Sequence, residues 1–279
     1  MKLALGTVQF GMDYGITNQN GQVSIDEVRK ILNFSQENGI DTLDTASGYG
    51  DSERVLGEVG VSNCQVITKL DSLALGVNSV IHSFRQSLIN LQVDGVDGLL
   101  IRAKDLQKKE IDSLYKELNK LKKDKLINKI GFSVYSPEQV NFLLSNFDFD
   151  LIQLPFNVFD ERLTSGGQLS ALKNKNIEIH TRSVFLQGIL LGFDNLPKHF
   201  KTWERQFTGY QAMVKESGMS LLEYALNFVL NIPEIDKVLV GVNSEQQLKE
   251  IVKAVKVPKF LAAYPIDDIY LLNPSFWKV

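Results

Sequence analysis

A carboxylate and a phenol stand five residues apart in Leu43-Asp44-Thr45-Ala46-Ser47-Gly48-Tyr49-Gly50, where an apolar run gives way to small residues. An amine, Lys69, closes a second apolar run, Val66-Ile67-Thr68-Lys69. A guanidinium, Arg102, follows a third, Leu99-Leu100-Ile101. A phenol has a pKa of about 10 and is a weak acid at neutral pH. An ammonium beside it favours the phenolate. A carboxylate beside the ammonium holds that charge in place. A tyrosine so placed can give a proton to a carbonyl oxygen as hydride reaches the carbonyl carbon. Each residue alone has a plainer role: Tyr49 as packing, Lys69 as a solvated cation, Asp44 as a helix cap. In this order the combined reading is the stronger one, provided that the ends of several strands converge.

The rest of the chain supplies such strands. Short apolar runs bounded by polar or glycine residues fall at Leu3–Leu5, Thr42–Asp44, Val66–Lys69, Gly98–Ile101, Lys129–Phe132, Leu151–Leu154, Ile177–Thr181 and Lys237–Val240. They read as strands buried on both faces. Between them, helical spacing recurs in Val28/Ile31/Leu32/Ser35, Ile81/Phe84/Leu88/Leu91, Ile111/Leu114/Tyr115/Leu118, Leu222/Ala225/Leu226/Val229 and Leu248/Ile251/Val252/Val255. Ser24 with Glu27, Ser136 before Pro137, and Ser244 read as helix starts. Eight strands alternating with about eight helices predict an α/β fold, a (β/α)8 TIM barrel. Residues 1–279 form one barrel domain in this reading, with the tail 264–279 near the site. An open doubly wound sheet is the alternative. It would carry Gly-x-Gly-x-x-Gly after the first strand, and none is there. In a barrel the site lies at the C-terminal ends of the strands, which is where Asp44, Lys69 and Arg102 fall.

Composition narrows the function. The chain has 279 residues, a net charge of -3 and one cysteine, Cys64. The charge gives no reason to expect nucleic acid as a partner, and one cysteine builds neither a disulfide nor a cysteine zinc site within one chain. The thiol reads as passive, and no metal site is expected. No run of eighteen apolar residues exists, so no membrane span is expected. The apolar start Met1-Lys2-Leu3-Ala4-Leu5-Gly6 is too short for a signal-peptide core, so a cytoplasmic location is expected. The basic run Lys120–Lys125 reads as a solvated helix end. His82, His180 and His199 read as structural or solvated. Phe10, Tyr14, Phe156 and Trp203 are candidates for the mouth of the pocket, with core packing the plainer reading of any one of them.

Several segments together resemble the aldo-keto reductase superfamily. These are Leu3-Ala4-Leu5-Gly6-Thr7-Val8-Gln9-Phe10-Gly11 and Asp44-Thr45-Ala46-Ser47-Gly48-Tyr49-Gly50. Ile130-Gly131-Phe132-Ser133 is similar to that family's Ile-Gly-Val-Ser-Asn, and Gln153-Leu154-Pro155-Phe156-Asn157 to its Gln-x-x-Tyr-Asn. Ser183-Val184-Phe185-Leu186-Gln187-Gly188 resembles its Ser-Pro-Leu-x-x-Gly loop, and Val240 to Leu248 its cofactor-phosphate segment. The resemblance spans essentially the whole chain and implies a barrel that uses NADP or NAD to reduce a small-molecule carbonyl. It gives Asp44, Tyr49 and Lys69 three of the family's four catalytic roles, with Tyr49 as general acid. Gly6 and Thr7 fall in the first cofactor-binding segment. Ser133 and Gln153 match the residues that bind the nicotinamide carboxamide. Ser183, Leu186 and Gly188 fall in the loop over the pyrophosphate, and Gly241, Asn243, Ser244 and Gln247 where the adenosine ribose and its phosphate are held.

The chain departs from the pattern at telling places. Arg102 stands where the fourth catalytic residue is normally histidine. It either replaces that histidine as a donor to the carbonyl, or clamps a substrate carboxylate or phosphate, or marks lost reductase activity. The last case describes a nucleotide-binding barrel that acts as a cofactor sensor or auxiliary subunit. Val134 replaces an asparagine that contacts the carboxamide. Arg182 takes the place of an aromatic that stacks on the nicotinamide, and can either stack there or pair with an acid. Gln247 and Ile251 replace an arginine and an asparagine of the adenosine site, so a weakened or absent NADP preference is expected. The substrate is expected to be polar, with an anionic or sugar-like character.

Overall fold

The computed structural model describes residues 1–70, 72–106, 109–194, 196–256 and 260–277. Eight parallel strands close into a barrel in chain order: β1 (Leu3–Gly6), β2 (Thr42–Asp44), β3 (Gln65–Lys69), β4 (Val96–Arg102), β5 (Ile127–Ser133), β6 (Leu151–Pro155), β7 (Glu178–Arg182) and β8 (Lys237–Gly241). The expected strands are all present. Their C-terminal ends reach further than apolar content alone indicates, taking in Arg102, Ser133, Arg182 and Gly241. No described helix is long and apolar enough to cross a membrane.

Two cores hold the barrel. The outward side chains, such as Leu5, Leu43, Val66, Leu99 and Ile101, pack against the surrounding helices in one large cluster. Ile67, Leu100 and Leu151 form a second, smaller cluster that belongs to the barrel interior. The helices bury most of the stripes that their spacing dictates, with Tyr115, Leu222, Val252 and Val255 only partly covered. Helix Val77–Leu91 buries Val80, Phe84, Ser87 and Leu91, while Ile81 and Leu88 lie at the edge of the core. Ser24, Ser136 and Ser244 each accept a hydrogen bond from a backbone amide of the helix they start.

The inner cluster fixes the direction of the candidate site residues. Side chains alternate along a strand. With Ile67 and Leu100 inside, Lys69 and Arg102, two residues further on, also point inward at the C-terminal mouth. In-register neighbours in a sheet share a face. Asp44 pairs with Ile67, Arg102 with Ser133, Ser133 with Gln153, and Gly6 with both Asp44 and Gly241. Gln153 pairs with His180, which puts Arg182 on the same face. The strand-borne candidates therefore meet around one opening.

The opposite end of the barrel is tied by charge. Glu178 opens β7 and pairs with Lys129 of β5, and its Oε1 lies 2.7 Å from Nε2 of the fully buried His180. The hydrogen bond to His180, with that to Lys129, pulls the Glu178 carboxyl down to about 2 against its partial burial. An unfolded glutamate titrates at about 4.3. The network therefore stabilises fully above that value and fades as pH falls towards about 2. Replacing Glu178→Gln is expected to cost about 1–3 kcal/mol at neutral pH. Denaturant unfolding should show the gap to the wild type closing in acid. A gap that stays constant from neutral pH down to the folded value would contradict this assignment.

Candidate active site

Asp44 and Lys69 form a buried ion pair, 3% and 5% exposed, with Nζ 2.5 Å from Oδ1. Lys69 Nζ also donates to the Thr45 carbonyl at 3.0 Å, and Gln153 Nε2 donates to Asp44 Oδ2 at 2.6 Å. Both carboxylate oxygens are thus occupied, which is what a buried charge requires. Asp44 does not cap a helix. Lys69 Nζ lies 5.2 Å from the centroid of the Tyr49 ring. The acid, the amine and the phenol therefore meet as the strand ends predict.

The turn that carries Tyr49 is held by close backbone approach. Gly11, at the end of the short helix Val8–Gly11, lies against residues 49–52. A Cβ added at Gly11 would stand 1.9 Å from the Tyr49 carbonyl oxygen and 2.2 Å from the Ser52 nitrogen. Gly50, at φ 55°, meets the Gly11 carbonyl from the other side. Buried hydroxyls complete the joint. Ser52 Oγ donates to the Thr7 carbonyl at 2.8 Å, and Thr7 Oγ1 donates to the Asp44 carbonyl at 3.0 Å.

A cleft of about 410 Å³ opens beside this set. Its walls include Gly6, Thr7, Asp44, Tyr49, Gln153, Arg182, Ser183, Gly188, Gly241, Asn243 and Gln247. Lys69, Arg102, Ser133, Leu186 and Ser244 do not line it. Lys69 sits beneath, held by Asp44. Leu186 is fully buried and anchors the loop after β7. Ser244 spends its hydroxyl on the Gln247 amide. Ser183, Leu186 and Gln187 take left-handed φ of 61°, 48° and 54°, a conformation that costs non-glycine residues about 1–2 kcal/mol each. From the tail, Pro274 and Ser275 line the cleft. Residues 278 and 279 of that tail lie outside the described residues.

The structure places the remaining side chains more closely, and one set of them differs from expectation. Of the aromatic candidates, Tyr14 lines the cleft, but Phe10, Phe156 and Trp203 are buried in the core. Arg182 pairs with no acid among the described residues. Its guanidinium lies 4.2 Å from the Tyr135 ring centroid and donates to the Val134 carbonyl at 2.9 Å. Gln247 Oε1 accepts from the Asn243 amide at 2.7 Å, so that atom is already engaged. Gln153 gives its amide nitrogen to Asp44, which leaves its carbonyl oxygen for any ligand.

Sequence reasoning missed Tyr135, Gln9 and Glu250, all of which line the cleft. Tyr135 was readable two residues beyond Ser133. Gln9 sits in the first motif, and its Oε1 is buried without a hydrogen-bond partner, as is Asn243 Oδ1. Burial pushes the Tyr14 phenol up from its ordinary value, and the nearby Tyr49 adds to that rise.

Arg102 stands apart. A Cβ on Gly48 would lie 2.9 Å from its Nη2, so the guanidinium rests against the turn just before Tyr49. Its Nε is buried without a partner.

A closed parallel barrel with this acid–amine–phenol set at its C-terminal mouth defines a class, and the chain's wider similarities agree. The aldo/keto reductase family model matches residues 2–265. The chain belongs to the aldo/keto reductase family, a family of oxidoreductases. It is 27% identical to an L-galactose dehydrogenase of Arabidopsis thaliana, over 84% of this chain and 80% of that protein. It is 23% identical to a probable voltage-gated potassium channel subunit beta of the same plant, over 96% and 92% respectively. The solved holo form of an aldo-keto reductase from Bacillus halodurans superposes with a TM-score of 0.78 at 20% identity, over 93% of this chain and 88% of that one.

The Gly11–Gly50 joint makes a testable demand. Gly11→Ala should cost about 1–3 kcal/mol by overpacking, lowering the melting temperature by about 2–4 °C per kcal/mol. Gly192→Ala is the control, since nothing lies within 4 Å of an added Cβ there, and it should stay within about 0.5 kcal/mol. Equal, small effects at both positions would overturn the joint.

Proposed function

We propose that this chain is an NAD(P)-dependent oxidoreductase that reduces a polar carbonyl, with Tyr49 as general acid. The observation that carries the reading is the buried Asp44–Lys69 pair set against the Tyr49 ring at the edge of the cleft. The residues present suit a dinucleotide. The cleft runs from this set, past the Ser183–Gly188 loop, to Gly241, Asn243 and Gln247. At that far end Gln9 and Asn243 offer buried carbonyl oxygens that lack a partner. Gln153 would hold the carboxamide from the cleft wall, with Ser133 in register beside it, the Ser183–Gly188 loop would hold the pyrophosphate, and Asn243, Gln247 and Glu250 the adenosine. When bound, the reduced dinucleotide supplies the hydride. Tyr49 then gives its proton to the carbonyl oxygen, Lys69 supports the negative charge left on the phenol, and Asp44 holds Lys69. Gln153 keeps Asp44 in place from the far side.

Tyr49→Phe tests the acid. It should lower carbonyl-dependent oxidation of reduced cofactor by about 10²- to 10⁴-fold and leave cofactor binding unchanged. Turnover within about threefold of wild type would refute the role of Tyr49.

The adenosine end gives no grip on a 2′-phosphate. Among the described lining residues Arg182 is the one cation, and it ends β7, while Glu250 adds a carboxylate at the adenosine end. Calorimetric titration should therefore find NADH and NADPH within about tenfold of each other. Gln247→Arg should tighten NADPH by roughly 10-fold through a charged hydrogen bond. NADPH binding a hundred times more tightly than NADH to the wild type would contradict this assignment.

A second reading, a barrel that binds cofactor as a sensor or subunit, draws on the missing histidine and on the channel-subunit name of one relative. It forecasts cofactor binding with no Tyr49-dependent turnover of any carbonyl. We place the activity in the cytoplasm, in keeping with a lone, half-buried Cys64 whose thiol burial pushes up.

A further inference from the structure

We infer that Arg102 recognises a carboxylate directly beside the substrate carbonyl, so that the substrates are 2-oxo acids and the products 2-hydroxy acids. This rests on the reading of Tyr49 as the acid that meets the carbonyl oxygen.

The first support is charge. The inward-facing strand ends at the mouth carry one carboxylate, Asp44, and three cations, Lys69, Arg102 and Arg182. Asp44 is consumed by Lys69 and Gln153. Arg182 is tied to the Val134 carbonyl and stacked on Tyr135. Arg102, half-buried, makes no hydrogen bond and no ion pair among the described residues, and its Nε is shut away from solvent without a partner. A partly buried cation with no counter-charge is costly unless a ligand supplies one. A neutral ketone or aldehyde would leave that charge uncompensated; a carboxylate would balance it.

The second support is place. The strand residues that line the cleft come from β1, β2, β6, β7 and β8. Arg102 ends β4, across the barrel from β8, on the wall that the cleft does not use. The guanidinium stands against Gly48, the residue just before Tyr49, and we take this wall, which the cleft leaves free, as the side on which the substrate sits. A fork so close to the acid meets a carboxylate on the carbonyl carbon or next to it, not one at the far end of a chain. The planar fork matches the two coplanar oxygens of a carboxylate. A phosphate ester carries about 1.5 to 2 negative charges, more than one guanidinium balances.

The step balances simply. The C=O π bond breaks, the carbon gains one hydrogen with two electrons from the reduced dinucleotide, and the oxygen gains the Tyr49 proton. The dinucleotide is oxidised, and the carboxylate is unchanged.

The test compares glyoxylate and pyruvate with acetaldehyde and acetone, and with dihydroxyacetone phosphate, using wild type, Arg102→Gln and Arg102→Lys. It adds calorimetric binding of oxamate, a 2-oxo acid mimic, to each protein loaded with reduced cofactor. Wild type should favour the oxo acids in kcat/KM by roughly 10- to 150-fold. Arg102→Gln should erase that preference and weaken oxamate by at least tenfold. Arg102→Lys, which keeps the charge and the volume, should fall between. An equal or better rate with the neutral carbonyls overturns this inference alone. So does an Arg102-dependent preference for the phosphate ester, or oxamate binding that ignores Arg102. No Tyr49-dependent turnover of any carbonyl, with no oxamate binding, overturns the underlying reading as well.

Discussion

The buried pair of Asp44 and Lys69 is the interaction on which the site depends. A salt bridge at 3% and 5% exposure is a poor way to gain stability, because desolvating two charges offsets most of their attraction. The protein nonetheless surrounds it with supporting groups. Gln153 holds the second carboxylate oxygen and the Thr45 carbonyl accepts from the ammonium. The Thr7 hydroxyl donates to the Asp44 backbone, and Ser52 ties Thr7 in turn. Such a satisfied buried network rigidifies whatever it touches. What it touches here is the face of Tyr49.

The barrel makes this arrangement possible through one geometric rule. Side chains two residues apart share a face of a strand, so the apolar inner cluster of Ile67, Leu100 and Leu151 orients everything above it. Polar groups that would be ruinous in the middle of the barrel become usable at its rim, where water and ligands reach them. The opposite rim uses the same rule for cohesion, in the Lys129–Glu178–His180 cluster. One end of the barrel is braced by charge and the other is left open for chemistry, the usual division in this architecture.

The strands, their order and their closure were legible because buried parallel strands are short apolar runs. Their C-terminal ends were less so. Arg102, Ser133, Arg182 and Gly241 continue strands by hydrogen bonding, while their polarity breaks the apolar signal that marks a strand. The convergence of Asp44, Tyr49 and Lys69 was legible because Asp44 and Lys69 end strands and Tyr49 follows one. The partners of Arg182 were not, since stacking on Tyr135 depends on how two loops settle beside each other. The same holds for Gln9, whose side chain reaches Gly241 across the β1–β8 seam. The buried stripe of helix Val77–Leu91 moved by one position because Val80 and Ser87, not Ile81 and Leu88, face the barrel.

The central claim is that the protein keeps the Asp44–Lys69 pair for proton transfer and not for stability. Its most direct test is the rate of carbonyl reduction by the double variant Asp44→Leu/Lys69→Met. Removing both charges together leaves no orphaned ion, so the variant should fold with stability equal to or above that of the wild type. Its rate should nevertheless fall by at least about 10²-fold. A folded double variant that reduces carbonyls within tenfold of the wild-type rate would contradict the account.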